Sequence, residues 1–255
     1  MENYYISIIT PSYNSSSYIE ETIKSVVYQT YKNWELIIVD DSSIDNTVNI
    51  VNKYVAVDKR VKLIQNSKNY GAAFSRNIGL KESKYDYIAF LDSDDLWLED
   101  KLKNQISFMK ENNISFCFTG YEIINSIGKS LGKTVDTKQT GSFSYNDMLK
   151  KKATLGCSTV MINKKHFDGL LKIPSLRTGQ DYAFWLKLLK KPKIRAYVLP
   201  KVLTQYRITP NSISRNKFKK VRRQWQIYRQ IENLNFFESV YFFSFYAFRA
   251  VFRVS

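Results

Sequence analysis

The sequence predicts an α/β protein: a doubly wound, mostly parallel sheet with helices on both faces, followed by a helical tail. Three observations predict it. Short β-rich runs alternate with segments of helical period over residues 5–91. The runs are apolar almost throughout, as strands buried on both faces are, rather than on every second residue. Three of them end in polar or acidic clusters, at residues 11–14, 40–41 and 92–95. In open parallel sheets ligands sit beyond the carboxyl ends of the strands, so the three clusters are expected to share one crevice.

Residues 5–10 (Tyr-Ile-Ser-Ile-Ile-Thr) read as the first strand, stopped by Pro11. Residues 15–17 supply a helix cap, and Tyr18, Ile19, Ile23, Val26 and Val27 follow a helical period. Residues 34–39 form the second strand, ending in Asp40-Asp41-Ser-Ser, and Asp45 caps a helix running to about Val55. Residues 61–65 are a third strand, residues 71–81 a helix and residues 87–91 a fourth strand. The second half is less regular. Residues 98–112 read as a helix, 114–124 as a strand, 128–135 as its hairpin return and 144–152 as a short helix. Residues 156–162 read as a strand, 178–191 as a helix with Gln180 and Asp181 at its start, and 198–207 as an extended return.

The chain has 255 residues, enough for one sizeable core. Its 39 basic against 23 acidic residues give a net charge of +16, which suggests an anionic partner. Cys117 and Cys157 lie in dissimilar contexts, so no disulfide is expected and a reducing compartment fits. The N-terminal stretch lacks a basic n-region and a cleavage site, so no signal peptide is expected. No run is long and apolar enough to span a bilayer.

Asp92, Asp94 and Asp95 crowd the end of the fourth strand, where mutual repulsion and burial are costly. A divalent cation would relieve that cost, and hard oxygen ligands suit Mg2+ or Mn2+ bound together with substrate phosphates. The competing reading is that Asp94 or Asp95 merely caps the helix starting near Leu98.

Five segments in order resemble family 2 glycosyltransferases of the GT-A fold. They are Ile8-Ile-Thr-Pro-Ser-Tyr-Asn14, Asp40-Asp41-Ser-Ser-Ile-Asp45, Gly71-Ala-Ala-Phe-Ser-Arg-Asn-Ile-Gly79, Asp92-Ser-Asp94 and Thr178-Gly-Gln-Asp-Tyr-Ala-Phe-Trp185. Each is weak alone; together, over roughly residues 5–210, they are specific. The tail after the segment Tyr206-Arg-Ile-Thr-Pro-Asn-Ser-Ile-Ser214 is also similar to that of bacterial teichuronic-acid, capsule and O-antigen type enzymes. Two positions depart from the pattern: Gln180 stands where relatives often carry Glu, and Thr209 where they often carry a metal-touching His.

The resemblance implies an inverting sugar transfer from a nucleotide-diphosphate donor, commonly a UDP-sugar. Asp41 would hydrogen-bond the base with Asp40 nearby, and Pro11 and Tyr13 would line the nucleoside pocket. Arg76 would sit by the donor diphosphate, with Asp92 and Ser93 in the donor site, and Asp94 would ligate Mn2+ or Mg2+. Asp181 would be the general base that deprotonates the acceptor hydroxyl. Residues 1–97 would form the nucleotide-sugar half and residues 98–213 the acceptor half of one domain. The acceptor would be a lipid-linked glycan in bacterial surface polysaccharide synthesis. His166, the one histidine of the sequence, reads as a loop or cap residue.

Residues 214–229 carry seven basic residues and no acidic one, with Phe218, Val221, Trp225 and Tyr228 at helical spacing. Residues 236–252 are rich in Phe and Tyr but interrupted by polar residues. Such a pair of helices over residues 215–255 suits contact with an anionic membrane surface, giving an expected location on the inner face of the plasma membrane. Packing of the aromatics on the domain is the competing reading. Lys150 to Lys152 read as solvated charge. A nucleotidyltransferase would need a Gly- and Lys/Arg-rich loop where Pro11-Ser-Tyr-Asn14 stands, and a dinucleotide enzyme a Gly-x-Gly-x-x-Gly. A basic nucleic-acid-binding protein is the remaining rival, but no recognised module is present and no nucleic-acid partner is expected.

Overall fold

The computed structural model describes residues 4–209 and 217–252. β1 (Ile6–Ser12), β2 (Trp34–Asp40), β3 (Val61–Gln65) and β4 (Tyr87–Phe90) form a parallel array in the order β3-β2-β1-β4. All of β1 and β2 is buried, which is why both read as unbroken apolar runs. Side chains nevertheless alternate between faces. Ile6, Ile8, Leu36, Ile38 and Ala89 enter one core cluster, whereas Ile9, Ile88 and Phe90 enter the other.

Helices cover both faces. α1 (Ile19–Val27) and α4 (Lys101–Glu111) bury Ile23, Val26, Leu102, Ile106 and Met109 in the first cluster. α2 (Thr47–Val57) adds Val51 to it. α3 (Ala72–Glu82) and α6 (Gln180–Leu189) cover the second, where Trp185 meets Phe90 and Phe116 edge-on at centroid distances of 5.5 and 5.6 Å. Burying each such side chain contributes about 1.5–3 kcal/mol. α3 lies tight on the sheet: a Cβ on Gly79 would stand 2.5 Å from Cγ2 of Ile9. That close approach holds Arg76, three residues earlier on α3, at the crevice.

The second half of the sheet is mixed. β9 (Val160–Asn163) runs antiparallel between β4 and β6 (Phe116–Ile124), and β10 (Ala196–Arg207) runs parallel to β6. β5 (Leu96–Trp97) and β8 (Ser142–Phe143) add short antiparallel edges to β10, and β7 (Ser130–Val135) returns along β6 as expected. α5 (Tyr145–Leu149) opens on a capping box between Ser144 and Asp147.

Several local expectations are corrected. Cys157–Thr159 forms a 3₁₀ turn, so the strand expected from residue 156 begins at Val160; Thr159 donates from N and Oγ1 to the Gly156 carbonyl. The helix expected from residue 98 begins at Lys101, because Leu96 and Trp97 pair with β10 and the Leu98 amide reaches the Leu203 carbonyl at 3.1 Å. Neither Asp94 nor Asp95 caps it. At α1 no side chain caps the first turn; the main-chain carbonyl of Ser15 accepts from Tyr18 and Ile19. At α2 the N-cap position is Asn46, not Asp45, and no side-chain cap bond is made there; Asp45 accepts from the Thr47 amide at 3.0 Å.

α7 (Lys217–Gln226) runs through a π-helical turn (Ile227–Ile231) toward α8 (Phe236–Phe252). The tail packs on the domain: Ile227 and Tyr228 are buried in the second core cluster. Tyr228 Oη donates to the Leu149 carbonyl at 2.7 Å, and Glu232 pairs with Lys190 at 2.9 Å. The boundary expected at residues 213–214 lies outside the described residues, as do Pro210 to Ser214 of the quoted segment. Among the described residues no helix is long and apolar enough to cross a membrane. Cys117 and Cys157 are both free and buried.

Candidate active site

The turn after β4 is held from four sides. Thr22 of α1 donates to the carbonyls of Ser93 and Asp95, both at 3.0 Å. Ser158, in the 3₁₀ turn, accepts from the Asp92 amide at 3.0 Å and donates to Asp95 at 2.5 Å. Arg76 of α3 pairs with Asp92. Arg207 of β10 donates from Nε to the Asp94 carbonyl at 2.7 Å, and its amide donates to Asp95 at 2.9 Å.

These contacts divide the three carboxylates by task. Asp95 is buried and committed to the chain; burial and the charges of Asp94 and Asp92 push its pKa well up. Asp92 is paired. The Asp94 carboxylate makes no ion pair and no bond to another residue among the described residues, bonding only its own main chain, and lines a cavity of about 740 Å³. Burial, then repulsion from Asp92, pushes its pKa up to about 6.

The same cavity is lined by Tyr13, Arg76, Asp92, Ser93 and Asp181. Asp181 stands in the first turn of α6, after Gly179 with φ of +72°, a left-handed conformation that favours glycine. Helix starts favour negative charge. The Asp181 carboxylate likewise has no partner among the described residues. Burial works against the Arg76 charge, but the carboxylates of Asp92, which also accepts its hydrogen bond, and Asp181 hold its pKa above the ordinary value. Nε and Nη1 of Arg76 are buried with no hydrogen-bond partner among the described residues. They constitute an unused donor pair beside the cavity, a costly arrangement unless an anion takes them.

Pro11, Asp40 and Asp41 do not line this cavity. Asp40 accepts from the amide and hydroxyl of Ser43 at 2.9 and 2.5 Å. Asp41 is buried and accepts from Asn66 Nδ2 (2.6 Å) and the amides of Tyr70 (3.0 Å) and Gly71 (2.6 Å). Both carboxylates therefore shape the loops at the ends of β2 and β3. Gln180 and Thr209 line the cavity; His166 lies in a 3₁₀ turn and does not.

Sequence reading missed part of the wall. Lys151, taken as solvated, lines the cavity with Nζ 3.0 Å from the Tyr182 ring centroid. Arg177, Lys220 and Arg223 line it too, so α7 of the tail is part of the site. Cys157 also lines it; burial pushes its thiol well up, which makes it inert as a nucleophile. No periodicity marks these residues, because they come from loops and from a helix remote in sequence.

A divalent cation fits what is present. Asp94 offers one unpartnered carboxylate, and no cluster of three or more metal-ligating side chains occurs among the described residues. One protein carboxylate completed by substrate phosphates is a usual Mg2+ arrangement.

This sheet, with carboxylates and a guanidinium converging at its strand ends, defines a protein of the GT-A fold. The chain belongs to glycosyl transferase family 2, whose profile matches residues 7–169. It is 44% identical over 246 residues (96% of each chain) to TuaG of Bacillus subtilis (strain 168), a glycosyltransferase named for teichuronic acid biosynthesis. It is 42% identical over 227 residues (89% of this chain, 86% of the relative) to WfgD of Escherichia coli. WfgD is named UDP-Glc:alpha-D-GlcNAc-diphosphoundecaprenol beta-1,3-glucosyltransferase. The fold matches Staphylococcus aureus TarS 1-349 in complex with UDP-GlcNAc, with a TM-score of 0.75 and 23% identity over 97% of this chain and 73% of that one.

Proposed function

We propose that the protein moves a sugar from a UDP-sugar to a hydroxyl of a lipid-linked glycan, with inversion, in the synthesis of a bacterial surface polysaccharide. The observation that carries this reading is the meeting of two unpartnered carboxylates, Asp94 and Asp181, with the unsatisfied guanidinium of Arg76 in one cavity. The names of TuaG and WfgD support the polysaccharide context, and that of WfgD a UDP-linked donor and a lipid-diphosphate acceptor.

In this reading Arg76 receives the donor diphosphate through Nε and Nη1, where a planar guanidinium complements phosphate oxygens. Tyr13 and Ser93 border the sugar-nucleotide, with Pro11, Asp40 and Asp41 shaping the nucleoside end. Asp94 would hold Mn2+ or Mg2+, which supplies counter-charge to the departing diphosphate. Asp181 takes the proton of the acceptor hydroxyl as that oxygen attacks the anomeric carbon from the face opposite the leaving group. The new bond forms as the carbon–phosphate-oxygen bond breaks, so the anomeric configuration inverts. The exposed aromatic side of α8 rests on the cytoplasmic membrane face, where the acceptor lipid resides.

The test is a thermal-shift screen against nucleotide sugars with and without Mn2+, since a ligand of the folded state raises the midpoint. A Mn2+-dependent shift with a UDP-sugar is expected. No shift with any nucleotide sugar, alongside one with RNA or DNA, would overturn the reading.

A further inference from the structure

Arg76 is not the sole cationic side chain at the cavity: Lys151, Arg177 and Arg223 line it as well. Arg76 is tied to Asp92. Lys151, Arg177 and Arg223 instead make no ion pair with a carboxylate among the described residues, although all three line the cavity. Asp181 acts electrostatically on both Arg76 and Lys151, so it lies within reach of the two groups. Basic side chains without a carboxylate partner, in addition to Arg76, are a place for a second anion.

Its construction is specific. Lys151 has φ of +56°, a left-handed conformation that costs a non-glycine residue energy and persists only where its surroundings hold it. Burial and the nearby Arg223 and Arg249 push the Lys151 amine well below its ordinary range, against the pull of Asp181. A second negative charge would reverse that. Arg223 crosses the start of α6 beside Asp181: a Cβ on Gly179 would stand 2.7 Å from its Cδ and 2.9 Å from its Nε. Glycine there is thus required twice, for its backbone conformation and to let the arginine pass.

The position of these side chains tells what kind of anion they meet. Lys150, the neighbour of Lys151, turns the other way and places Nζ 5.5 Å from the rings of Tyr241 and Phe245 on α8. One residue thus separates the cavity from the aromatic helix. Phe237, Tyr241, Phe245 and Phe248 recur along α8 at spacings that share one side, and Phe237 is 83% exposed. A ligand entering here carries its charge to Lys151 and its hydrocarbon along α8.

We propose that Lys151, Arg177 and Arg223 form a subsite for the diphosphate of a lipid-diphosphate-linked acceptor, distinct from the donor diphosphate at Arg76 and Asp94. The assignment rests on the transferase reading above. It makes the tail a part of the acceptor site: α7 supplies a ligand for the acceptor's charge, and α8 supplies the surface for its chain.

The test uses the full-length protein saturated with UDP and Mn2+, and undecyl diphosphate as the probe, with uncharged undecyl glucoside as its control. Calorimetric affinities would be measured for both probes and for UDP. Arg223→Gln keeps most of the stem over Gly179, and Arg177→Gln alters an exposed side chain at the rim, so a folded variant is available in either case. Each is expected to weaken undecyl diphosphate about tenfold or more while UDP and undecyl glucoside keep their affinities. A matching loss of UDP affinity would return these cations to the donor site and overturn the proposal. So would unchanged affinity for undecyl diphosphate, or equal binding of the charged and uncharged probes by the unaltered protein. Failure of the unaltered protein to bind UDP at all would instead bring down the transferase reading, and this proposal with it.

Discussion

Arg207 Nε donates to the main-chain carbonyl of Asp94 at 2.7 Å, so the residue that aims the unpartnered carboxylate into the cavity lies 113 positions further along the chain. The same guanidinium reaches the Ser126 carbonyl at 3.0 Å and Glu21 at 2.6 Å, and it is only 2% exposed. β10 therefore acts as a brace for the acidic turn. Arg207 contacts no expected substrate group, yet it fixes the height and direction of Asp94.

Arg207→Gln should lower stability by about 1.5–3 kcal/mol, the usual worth of hydrogen bonds to a charged group. It should also weaken Mn2+-dependent nucleotide-sugar binding more than nucleotide binding without metal. Denaturant titration and calorimetry with and without Mn2+ check both. Equal loss in the two binding measurements would show that Asp94 does not depend on this brace.

Lys101 gives a prediction for pH. It is fully buried on α4, donates to Gln105 and, at 3.5 Å, to the Thr159 carbonyl, and lies 4.7 Å from the Trp97 ring centroid. Burial pushes its amine down to about 7 from the ordinary 10.5. Between those values the unfolded chain holds a proton that the folded chain lacks, so this group makes stability rise with pH. Below the folded value the penalty is complete; above the unfolded value it is gone. Lys101→Met should be more stable than the unaltered protein at pH 7, with the gap closing as pH rises toward 10. The closing rate should approach tenfold in the folding equilibrium per pH unit, about one proton's worth. A gap independent of pH would mean that Lys101 stays charged when buried.

The exposed side of α8 is expected to carry membrane contact. Phe237→Ser removes a side chain that is 83% exposed, so the fold should be unaffected. Co-sedimentation with phosphatidylglycerol vesicles should fall at least tenfold, given about 1.5–3 kcal/mol per aromatic buried. Unchanged co-sedimentation with an unchanged melting temperature would assign this face to something other than lipid.

The parallel half of the fold was legible because β1, β2 and β4 are buried on both faces and say so residue by residue. β9 was harder: Thr159 back-bonds to Gly156 and diverts three residues of an apparently continuous run into a 3₁₀ turn. β5 and β8 are two residues each, too short for any period to register. At the site, the acidic turn announced itself through three carboxylates in four positions. The partners that sort those carboxylates did not. Nothing in the sequence ties Ser158 or Arg207 to the acidic turn; they become decisive only when the 3₁₀ turn before β9 and the end of β10 bring them to it. Lys151 looked like one of three solvated lysines. Only the structure separates it from Lys152, which pairs with Asp147 at 2.7 Å, and from Lys150, which meets α8. The basic tail was read for its net charge, and its amphipathic side was assigned to lipid; that one side of α7 would close the cavity was invisible without the packing of Tyr228 on Leu149.

Asp181→Asn tests the central claim most directly, because the amide keeps the size and the hydrogen-bonding reach of the carboxylate but cannot take a proton. UDP-sugar affinity and transfer rate would be measured on the same preparation. Affinity within about twofold of the unaltered protein is expected, with transfer reduced by about 10²–10⁴ or more, the range for loss of a general base. Transfer at the unaltered rate would remove Asp181 from the chemistry and contradict the mechanism.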